Sequence, residues 1–246
     1  MEDINCWEEK FEMCGYTARL LDKVTSLNKL VQYPIDIREI KKGVYYARKY
    51  HGSQMRQSGD PYYSHPIEVA YMVAKYSSLQ KQEFFRTDMI VTALLHDTIE
   101  DTEFTKAMIT NIFGCKIACQ VEDLTRIKLD KKISSAEMVN SLLLQNNKDM
   151  LFIKLFDRLH NMQTIGAKSP EKMKKIMLET LSVFITLSMY LGMPQIKEEL
   201  IELYSKATPT LKDDQQFPCK DNFLHSFLTA QSAVSRIRNL YLQESQ

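Results

Sequence analysis

The chain has 246 residues, of which 44% are hydrophobic, and its formal net charge is +1. This length suits one large domain with appendages, and the near-neutral charge provides no global field that would favour nucleic acid or an acidic membrane as a partner. The chain has only 7 glycines and 7 prolines, which favours long helices. Its 5 cysteines form no CxxC pair, which indicates reduced, buried thiols in a cytoplasmic protein.

The first residues, MEDINCWEEK, are acidic and therefore predict no signal peptide. The longest apolar stretch, LSVFITLSMYLGM, is short and interrupted by serine and threonine, so we expect no transmembrane helix. These features predict a protein with no membrane partner and no nucleic-acid partner. They leave the oligomeric state open.

Hydrophobic periodicity and turn residues predict an all-α fold with no strand. The first helix is expected over 7–31, ending before Tyr33-Pro34, because a residue that precedes proline is disfavoured in the α region. Further helices are predicted over 36–50, 66–77, 86–99, 105–124, 135–146, 149–165, 170–191, 195–206 and 223–243. The predicted domains are an N-terminal helical extension (1–35), a central helical domain (36–207) and a C-terminal linker and helix (208–246).

The stretch LLHDTIEDT follows an apolar run and contains His96, Asp97, Glu100 and Asp101. Residues three and four apart are neighbours on a helix, so Asp97 is expected to face both later acids. Buried like charges repel, and a cation would compensate for them. Since His96 and Asp97 are good ligands for a divalent metal, a metal site is the simplest explanation. The alternative is a solvated helix end.

A second polar stripe lies on the apolar helix that contains KLFDRLHNMQT, with Arg158 and His160 on its flanks. Its members recur at helical spacing and are Lys154, Asp157, Asn161 and Thr164. A surface helix would carry the same stripe on its wet side. Together with the His-Asp pair of LLHDTIEDT, however, the aspartate of this stripe supplies the minimum for a two-helix metal site.

A third piece is His65, which precedes Pro66 at the start of a predicted helix. There the imidazole ring is able to point at a ligand. The resulting pattern, H…HD…D, resembles the HD phosphohydrolase superfamily. Several ordered motifs, over about residues 38–206, resemble the hydrolase domain of RelA/SpoT homologues: RQSGDPYYSHPIEVA, LLHDTIEDTEFT, VEDLTRIK, IKLFDRLHNMQTI and MYLGMPQIKEELIELY.

This resemblance implies that the domain over 36–207 is an HD-domain helical bundle. Because no synthetase segment follows, the chain is similar to single-domain small alarmone hydrolases. The implied activity is removal of the 3′-pyrophosphate from ppGpp or pppGpp, giving GDP or GTP and pyrophosphate, with one Mn²⁺ per site. Manganese accepts imidazole and carboxylate ligands together.

The resemblance also implies roles for individual residues. The metal ligands would be His65, His96, Asp97 and Asp157. Glu100 and Asp101 match an acid pair associated with the attacking water, and either could be the base. Arg56 matches an arginine that packs on guanine, while Asn161 and Thr164 match contacts to ribose and phosphates. Lys154 and Arg158 are cations able to neutralise phosphates or to pair with a neighbouring acid.

Three positions depart from the family pattern, at Gln57, Gln163 and Asp123. The first two remove positive charge from the expected phosphate end, so a second hypothesis is an HD phosphohydrolase acting on another nucleotide, such as an adenosine alarmone or NADPH. A third hypothesis is a non-catalytic module that binds the alarmone or docks a partner through residues 1–35 and 208–246.

Overall fold

The computed structural model describes residues 4–128 and 131–211. These residues are mainly helical, which confirms the predicted all-α class. The predicted linker and helix beyond residue 211 lie outside the described residues. The α-helices are α1 (Gly15–Asn28), α2 (Ile37–His51), α3 (Ser64–Gln80), α4 (Thr87–Leu95), α5 (Thr98–Asp101), α6 (Lys106–Phe113), α7 (Cys115–Leu124), α8 (Ser135–Leu144), α9 (Lys148–Gln163), α10 (Pro170–Glu179), α11 (Ile185–Tyr190) and α12 (Pro194–Ala207).

A short strand pair interrupts the helices, although the sequence predicts no strand. Strand β1 (Ile127–Lys128) pairs antiparallel with β2 (Lys131–Lys132). The Ile133 amide also donates to the Arg126 carbonyl oxygen at 2.9 Å. Two residues per strand are too few to produce an alternating hydrophobic pattern, so periodicity could not detect this hairpin.

The chain divides into two compact units, with the boundary between His160 and Asn161. The first unit is built around α4, whose residues 89–95 are all buried. This confirms the prediction of a central apolar helix, which packs against α2, α3 and α7. A Cβ atom added at Gly43 of α2 would lie 3.0 Å from Leu94 Cδ1, so glycine there allows α2 and α4 to approach closely without displacing the Leu94 side chain. The predicted domain boundaries after residues 35 and 207 stay predictions.

The end of α4 differs from the single helix predicted over 86–99. The helix stops at Leu95, and α5 follows as a separate turn. The Ala93 carbonyl oxygen accepts a hydrogen bond from His96 Nδ1 at 2.8 Å, and the Leu95 carbonyl oxygen accepts one from Thr98 Oγ1 at 2.7 Å. Side chains therefore satisfy carbonyl groups that a continuing helix would use, and the chain turns at the His-Asp pair.

The N-terminal helix begins eight residues later than predicted, at Gly15 rather than residue 7. A 3₁₀ turn (Ile4–Trp7) precedes it. Trp7 is buried, and its ring contacts the rings of Phe11 and Tyr45. Burial of this large ring against α2 competes with continuation of the helix, and packing prevails over local propensity.

Two other predicted helices are interrupted. The helix expected over 105–124 is divided into α6 and α7 by Gly114, which has a φ of 87°. The helix expected over 170–191 contains a π turn (Thr180–Phe184) between α10 and α11. There the Thr180 hydroxyl donates to the Ile176 carbonyl oxygen at 2.7 Å, and the Ser182 hydroxyl donates to that of Leu178 at 2.9 Å. Such hydroxyl groups compete with the regular helical hydrogen bonds.

The second unit contains α10, α11 and α12. Pro170 and Pro194 occupy the first positions of α10 and α12, where the missing amide proton costs no hydrogen bond. Phe184, Ile196 and Leu200 are buried in this unit. Across the described ranges, 4–128 and 131–211, no helix has both the length and the apolar character that crossing a bilayer requires.

The four cysteines within the described residues form no disulfide and are less buried than predicted. Cys6, Cys14, Cys115 and Cys119 are free thiols; Cys115 is exposed and the other three are partly buried. Cys219 lies outside the described residues. The helical spacing of Cys115 and Cys119 suggested a core face, whereas in the structure their sulfur atoms meet 3.7 Å apart near the surface.

Asp88 near the start of α4 provides a test of the acid stability of the first unit. Its carboxylate pairs with Arg86 and Lys116 at 3.2 and 2.9 Å and accepts a hydrogen bond from Gln120 at 3.2 Å. Burial opposes ionisation, but Lys116 and Arg86 prevail and lower the Asp88 pKa to about 2. The folded-state pKa is below the unfolded value, so the carboxylate stabilises the fold at neutral pH. This contribution declines as the pH falls below about 4 and is lost near the folded pKa.

We expect Asp88→Asn to lower the free energy of unfolding by about 1–2 kcal/mol at pH 7. The difference between wild type and variant should shrink steadily as the pH is lowered toward 3. Urea unfolding followed by circular dichroism at several pH values measures it. An equal difference at every pH would contradict the assigned ion pairs.

Candidate metal centre

Three helices position the predicted metal ligands. His65 is the second residue of α3, His96 and Asp97 follow α4 directly, and Asp157 lies within α9. Pro66 lies in the first turn of α3, as predicted, where proline is tolerated. All four residues belong to the first unit.

The structure brings these four side chains together. His65 Nε2 lies 3.2 Å from Asp157 Oδ1 and 3.5 Å from Asp97 Oδ2. His96 Nε2 lies 3.2 Å from Asp97 Oδ1 and 3.9 Å from Asp157 Oδ1. One ligand atom from each of His65, His96 and Asp157 lies within 4.8 Å of the others, and Asp97 contacts both imidazoles.

The orientation of His96 fits a metal ligand. Its Nδ1 donates to the Ala93 carbonyl oxygen at 2.8 Å, so Nε2 carries the lone pair in the neutral ring. Within the described part of the chain, this buried Nε2 has no hydrogen-bond partner, although an Asp97 oxygen lies 3.2 Å away. A buried, unpartnered nitrogen that faces two carboxylates is suited to binding a cation.

A hydrogen-bonded chain orients His65 in the same way. Arg56 Nη1 lies 3.5 Å from His160 Nδ1, which in turn lies 2.7 Å from His65 Nδ1. Because a guanidinium group only donates, this contact favours His160 Nδ1 as the acceptor and His65 Nδ1 as the donor of the shorter bond, with both donors sharing one lone pair. His65 Nε2 is left as a lone pair facing the carboxylates. Burial, followed by the effects of His65 and Arg56, lowers the His160 pKa to about 2, so this ring is neutral.

The charges of the cluster are strongly coupled. Burial would raise the pKa of Asp97, but His96 prevails and holds that pKa well below the usual range. For Asp157, Lys154 and the two imidazoles have the same effect. Burial alone would lower the His96 pKa, yet the carboxylates raise it to about 10. The arrangement therefore stabilises positive charge between the two aspartates, and its donor set of imidazole and carboxylate groups suits a divalent transition metal.

The two acids that follow the His-Asp pair have different surroundings. Glu100 accepts hydrogen bonds from the Arg126 amide and guanidinium at 3.1, 3.2 and 2.6 Å, and it pairs with Lys132 at 2.8 Å. These partners outweigh burial and lower the Glu100 pKa. The Asp101 pKa is instead raised, mainly by burial and also by the charges of Asp97 and Glu100.

Tyr62 connects Asp101 to the metal centre. Its hydroxyl oxygen lies 2.7 Å from Asp101 Oδ2 and 3.1 Å from Asp97 Oδ2. One hydroxyl proton serves one acceptor at a time, so the two acids share a single donor. The Tyr62 ring stacks on His51 with a centroid distance of 4.5 Å, which fixes its direction.

The predicted nucleotide-binding residues lie in different surroundings. Arg56 lies in the loop between α2 and α3 and reaches His160. Lys154 is buried and donates to Asp157 Oδ2 at 2.5 Å, and Arg158 is also buried. Asn161 near the end of α9 and Thr164 directly after it belong to the second unit, and their roles stay predictions.

Sequence reasoning assigned no role to Tyr62, His160 or Arg126. His160 follows Asp157 by three residues and so lies on the same helical face, a signal that was available. Tyr62 precedes His65 by three residues in the same motif, but only the tertiary structure shows where its hydroxyl points. Arg126 follows α7 and meets Glu100 across 26 positions of the chain, a pairing with no local signal.

Comparisons with known proteins identify the class of this chain. The sequence model of the HD domain family matches residues 43–194, so the chain belongs to the HD domain family. It is 40% identical over 191 residues to the GTP pyrophosphokinase rsh of Brucella ovis, which covers 72% of this chain and 24% of the relative. It is 38% identical over 187 residues to the guanosine-3′,5′-bis(diphosphate) 3′-pyrophosphohydrolase of Escherichia coli O157:H7, which covers 72% and 26% respectively.

These relatives confirm the predicted resemblance to RelA/SpoT homologues. The chain spans about a quarter of the length of these curated relatives. A solved structure also matches, with a TM-score of 0.54 and 20% identity over 72% of this chain and 98% of the other. Its title describes a metazoan orthologue of SpoT that hydrolyses ppGpp and plays a role in starvation responses. At this identity the likeness concerns the fold alone, and it confirms the predicted HD-domain helical bundle.

Metal affinity should depend far more on His96 than on a second buried histidine. We expect His96→Gln to weaken Mn²⁺ binding by about 100-fold or more, because it removes an imidazole donor at similar side-chain size. His51→Gln is the matched control, since His51 is equally buried and its Nε2 also has no described partner, but it reaches the ligands only through the ring of Tyr62 and should change the affinity much less. Isothermal titration calorimetry compares the two, and equal affinities would contradict the assigned centre.

Proposed function

We propose that this protein removes the 3′-pyrophosphate from guanosine tetraphosphate and pentaphosphate, giving GDP or GTP and pyrophosphate. The observation that carries the proposal is the convergence of His65, His96, Asp97 and Asp157 from three helices, with Asp101 connected to them through one tyrosine. Support comes from the E. coli relative, whose name is that of a guanosine-3′,5′-bis(diphosphate) 3′-pyrophosphohydrolase.

We infer that the four ligands hold a single Mn²⁺. When bound, a divalent ion of this kind polarises a phosphoryl oxygen and lowers the pKa of water. Lys154 then has a positioning role, because its ammonium group holds Asp157 Oδ2 and leaves Oδ1 directed at the imidazoles. Arg158 is proposed to support the same helix face, because its burial disfavours a role as a mobile phosphate contact.

Asp101 is the proposed general base. Among the described residues, only Tyr62 hydrogen-bonds to its carboxylate, so one oxygen is available for water. The carboxylate of Glu100, by contrast, is engaged by Arg126 and Lys132. Water attacks the phosphorus attached to the 3′ oxygen, its proton passes to Asp101, and the bond from phosphorus to the 3′ oxygen breaks. The 3′ oxygen takes a proton from solvent, pyrophosphate is released, and Asp101 returns its proton to solvent.

Arg56 is proposed to stack on the guanine base, as its flat guanidinium allows, and Asn161 and Thr164 to contact ribose and phosphates. Gln163, where family members carry a basic residue, donates to Glu199 at 2.8 Å within the second unit. We propose a cytoplasmic location, which the free thiols support.

The proposal is tested with purified protein, Mn²⁺ and ppGpp, with the products separated by ion-exchange chromatography. We expect GDP and pyrophosphate in equal amounts, and no turnover after chelation of the metal. Release of phosphate from NADPH or an adenosine alarmone without turnover of ppGpp would instead support a different nucleotide substrate. Tight ppGpp binding without any product would support a regulatory module.

A second test separates the two acids. We expect Asp101→Asn to lower kcat by about 100-fold or more while leaving Mn²⁺ affinity unchanged, because the variant loses a base but no ligand. Asparagine also keeps an oxygen that accepts the Tyr62 proton.

Glu100→Gln is expected to act through Arg126. Arg126→Gln should reproduce most of its loss of activity, and the double variant should lose no more than Glu100→Gln alone, because Glu100→Gln already disrupts the pair with Arg126 as well as that with Lys132. Steady-state kinetics and metal titrations of these variants provide the measurements. A near-normal kcat for Asp101→Asn would contradict the role assigned to it.

A further inference from the structure

The segment between α2 and α3, residues 52–63, carries Arg56 and is here called the 52–63 loop. Two of its residues form hydrogen bonds with Asp101, in the acidic turn after α4. Gln54 Nε2 donates to the Asp101 carbonyl oxygen at 2.9 Å, and Tyr62 contacts the Asp101 carboxylate. The loop therefore joins the nucleotide-binding arginine to the residues around the metal centre.

Asp60 organises the outer side of this loop. Its carbonyl oxygen accepts the Arg56 amide at 2.8 Å, and one carboxylate oxygen accepts the Ser58 hydroxyl at 2.8 Å. The Gly59 amide donates to the Arg56 carbonyl oxygen at 3.0 Å, and Gly59 has a φ of 88°, so a tight turn encloses residues 56–60. The backbone at Arg56 is thus held by Asp60.

The second carboxylate oxygen of Asp60 is held from outside the loop. Tyr16, in the first turn of α1, donates its hydroxyl proton to Asp60 Oδ1 at 3.0 Å. A hydrogen bond to an ionised acceptor is stronger than one between neutral groups. Both residues belong to the first unit, and Tyr16 lies outside the range that matches the HD domain family.

Helix α1 is itself anchored independently of the loop. Leu20 and Val24 are buried, and α1 packs against α3. Arg19 pairs with Glu68 at 2.6 Å and lies over the Tyr71 ring at 4.1 Å. Tyr16 therefore contacts the 52–63 loop from a helix that other contacts hold in place. Its hydrogen bond to Asp60 is here called the brace.

We propose that Tyr16 is a positioning residue for nucleotide binding, which holds Arg56 in place through Asp60. The N-terminal segment then contributes to substrate affinity although it supplies no residue to the metal centre. This inference rests on the proposed function, in which Arg56 stacks on the base. A contact to the base, remote from the reacting phosphorus, affects the bound ground state and the transition state equally, so its loosening raises KM. Because Arg56 also contacts His160, kcat is expected to fall as well, but by less than KM rises.

The test is Tyr16→Phe, which removes only the hydroxyl group. We expect KM for ppGpp to rise by about three- to tenfold, the loss typical of one hydrogen bond, with a smaller change in kcat and a Tm lowered by no more than a few degrees, as in the control. Arg19→Gln is the matched control, because it removes another polar contact of α1 but none to the loop, and its KM should equal that of wild type. A rise in KM in both variants, or in neither, would overturn the proposal.

A second readout does not depend on the substrate. Hydrogen exchange of the Arg56 and Gly59 amides should accelerate in Tyr16→Phe and not in Arg19→Gln, because both amides are bonded within the turn that Asp60 closes. Unchanged exchange in Tyr16→Phe would overturn the brace. If wild type does not hydrolyse ppGpp but exchange still accelerates, the proposed substrate fails while the brace itself stands.

Discussion

Two carboxylates, the buried Asp157 and the partly buried Asp97, face the same pair of imidazoles, and the structure around them depends on how this negative charge is compensated. An isolated ionised carboxylate in an apolar interior is too costly to persist, so each one needs a cation or several donors. Lys154, one turn before Asp157 on α9, compensates part of this charge, and a protonated or metal-bound His96 compensates the rest.

The apolar character of α4 makes this arrangement possible. Because residues 89–95 are all buried, a shift of α4 along its axis would expose apolar side chains. The position of α4 therefore also fixes the position of His96 and Asp97, which follow it. The early end of the helix then matters as much as its burial. His96 and Thr98 both donate to carbonyl groups of the last turn, so the bond that orients the imidazole also stops the helix. The hydrogen bond from His96 Nδ1 to the Ala93 carbonyl oxygen therefore contributes both to the end of α4 and to the orientation of the imidazole ring.

The helical class and the central burial of α4 could be predicted because hydrophobic spacing along the chain indicates both. The set of four candidate ligands, by contrast, was implied by the resemblance to a known family. The errors have physical reasons. Hydrophobic periodicity carries no information about side chains that compete for backbone carbonyl groups. The predictions therefore missed the end of α4 and the π turn after α10. Periodicity also carries no information about pairings between distant segments, so Arg126 as the partner of Glu100 and the direction of Tyr62 could be found only from the fold.

The pairing of Lys154 with Asp157 has a consequence for the charge that a metal ion would meet. Lys154 compensates one of the two carboxylates from within the same helix, so a divalent ion held by His65, His96, Asp97 and Asp157 would face one uncompensated negative charge rather than two. Because the charge of the ligands sets much of a site's affinity for a divalent ion, the centre would hold its ion less tightly than two unpaired aspartates would, and the ion would exchange more readily with its surroundings.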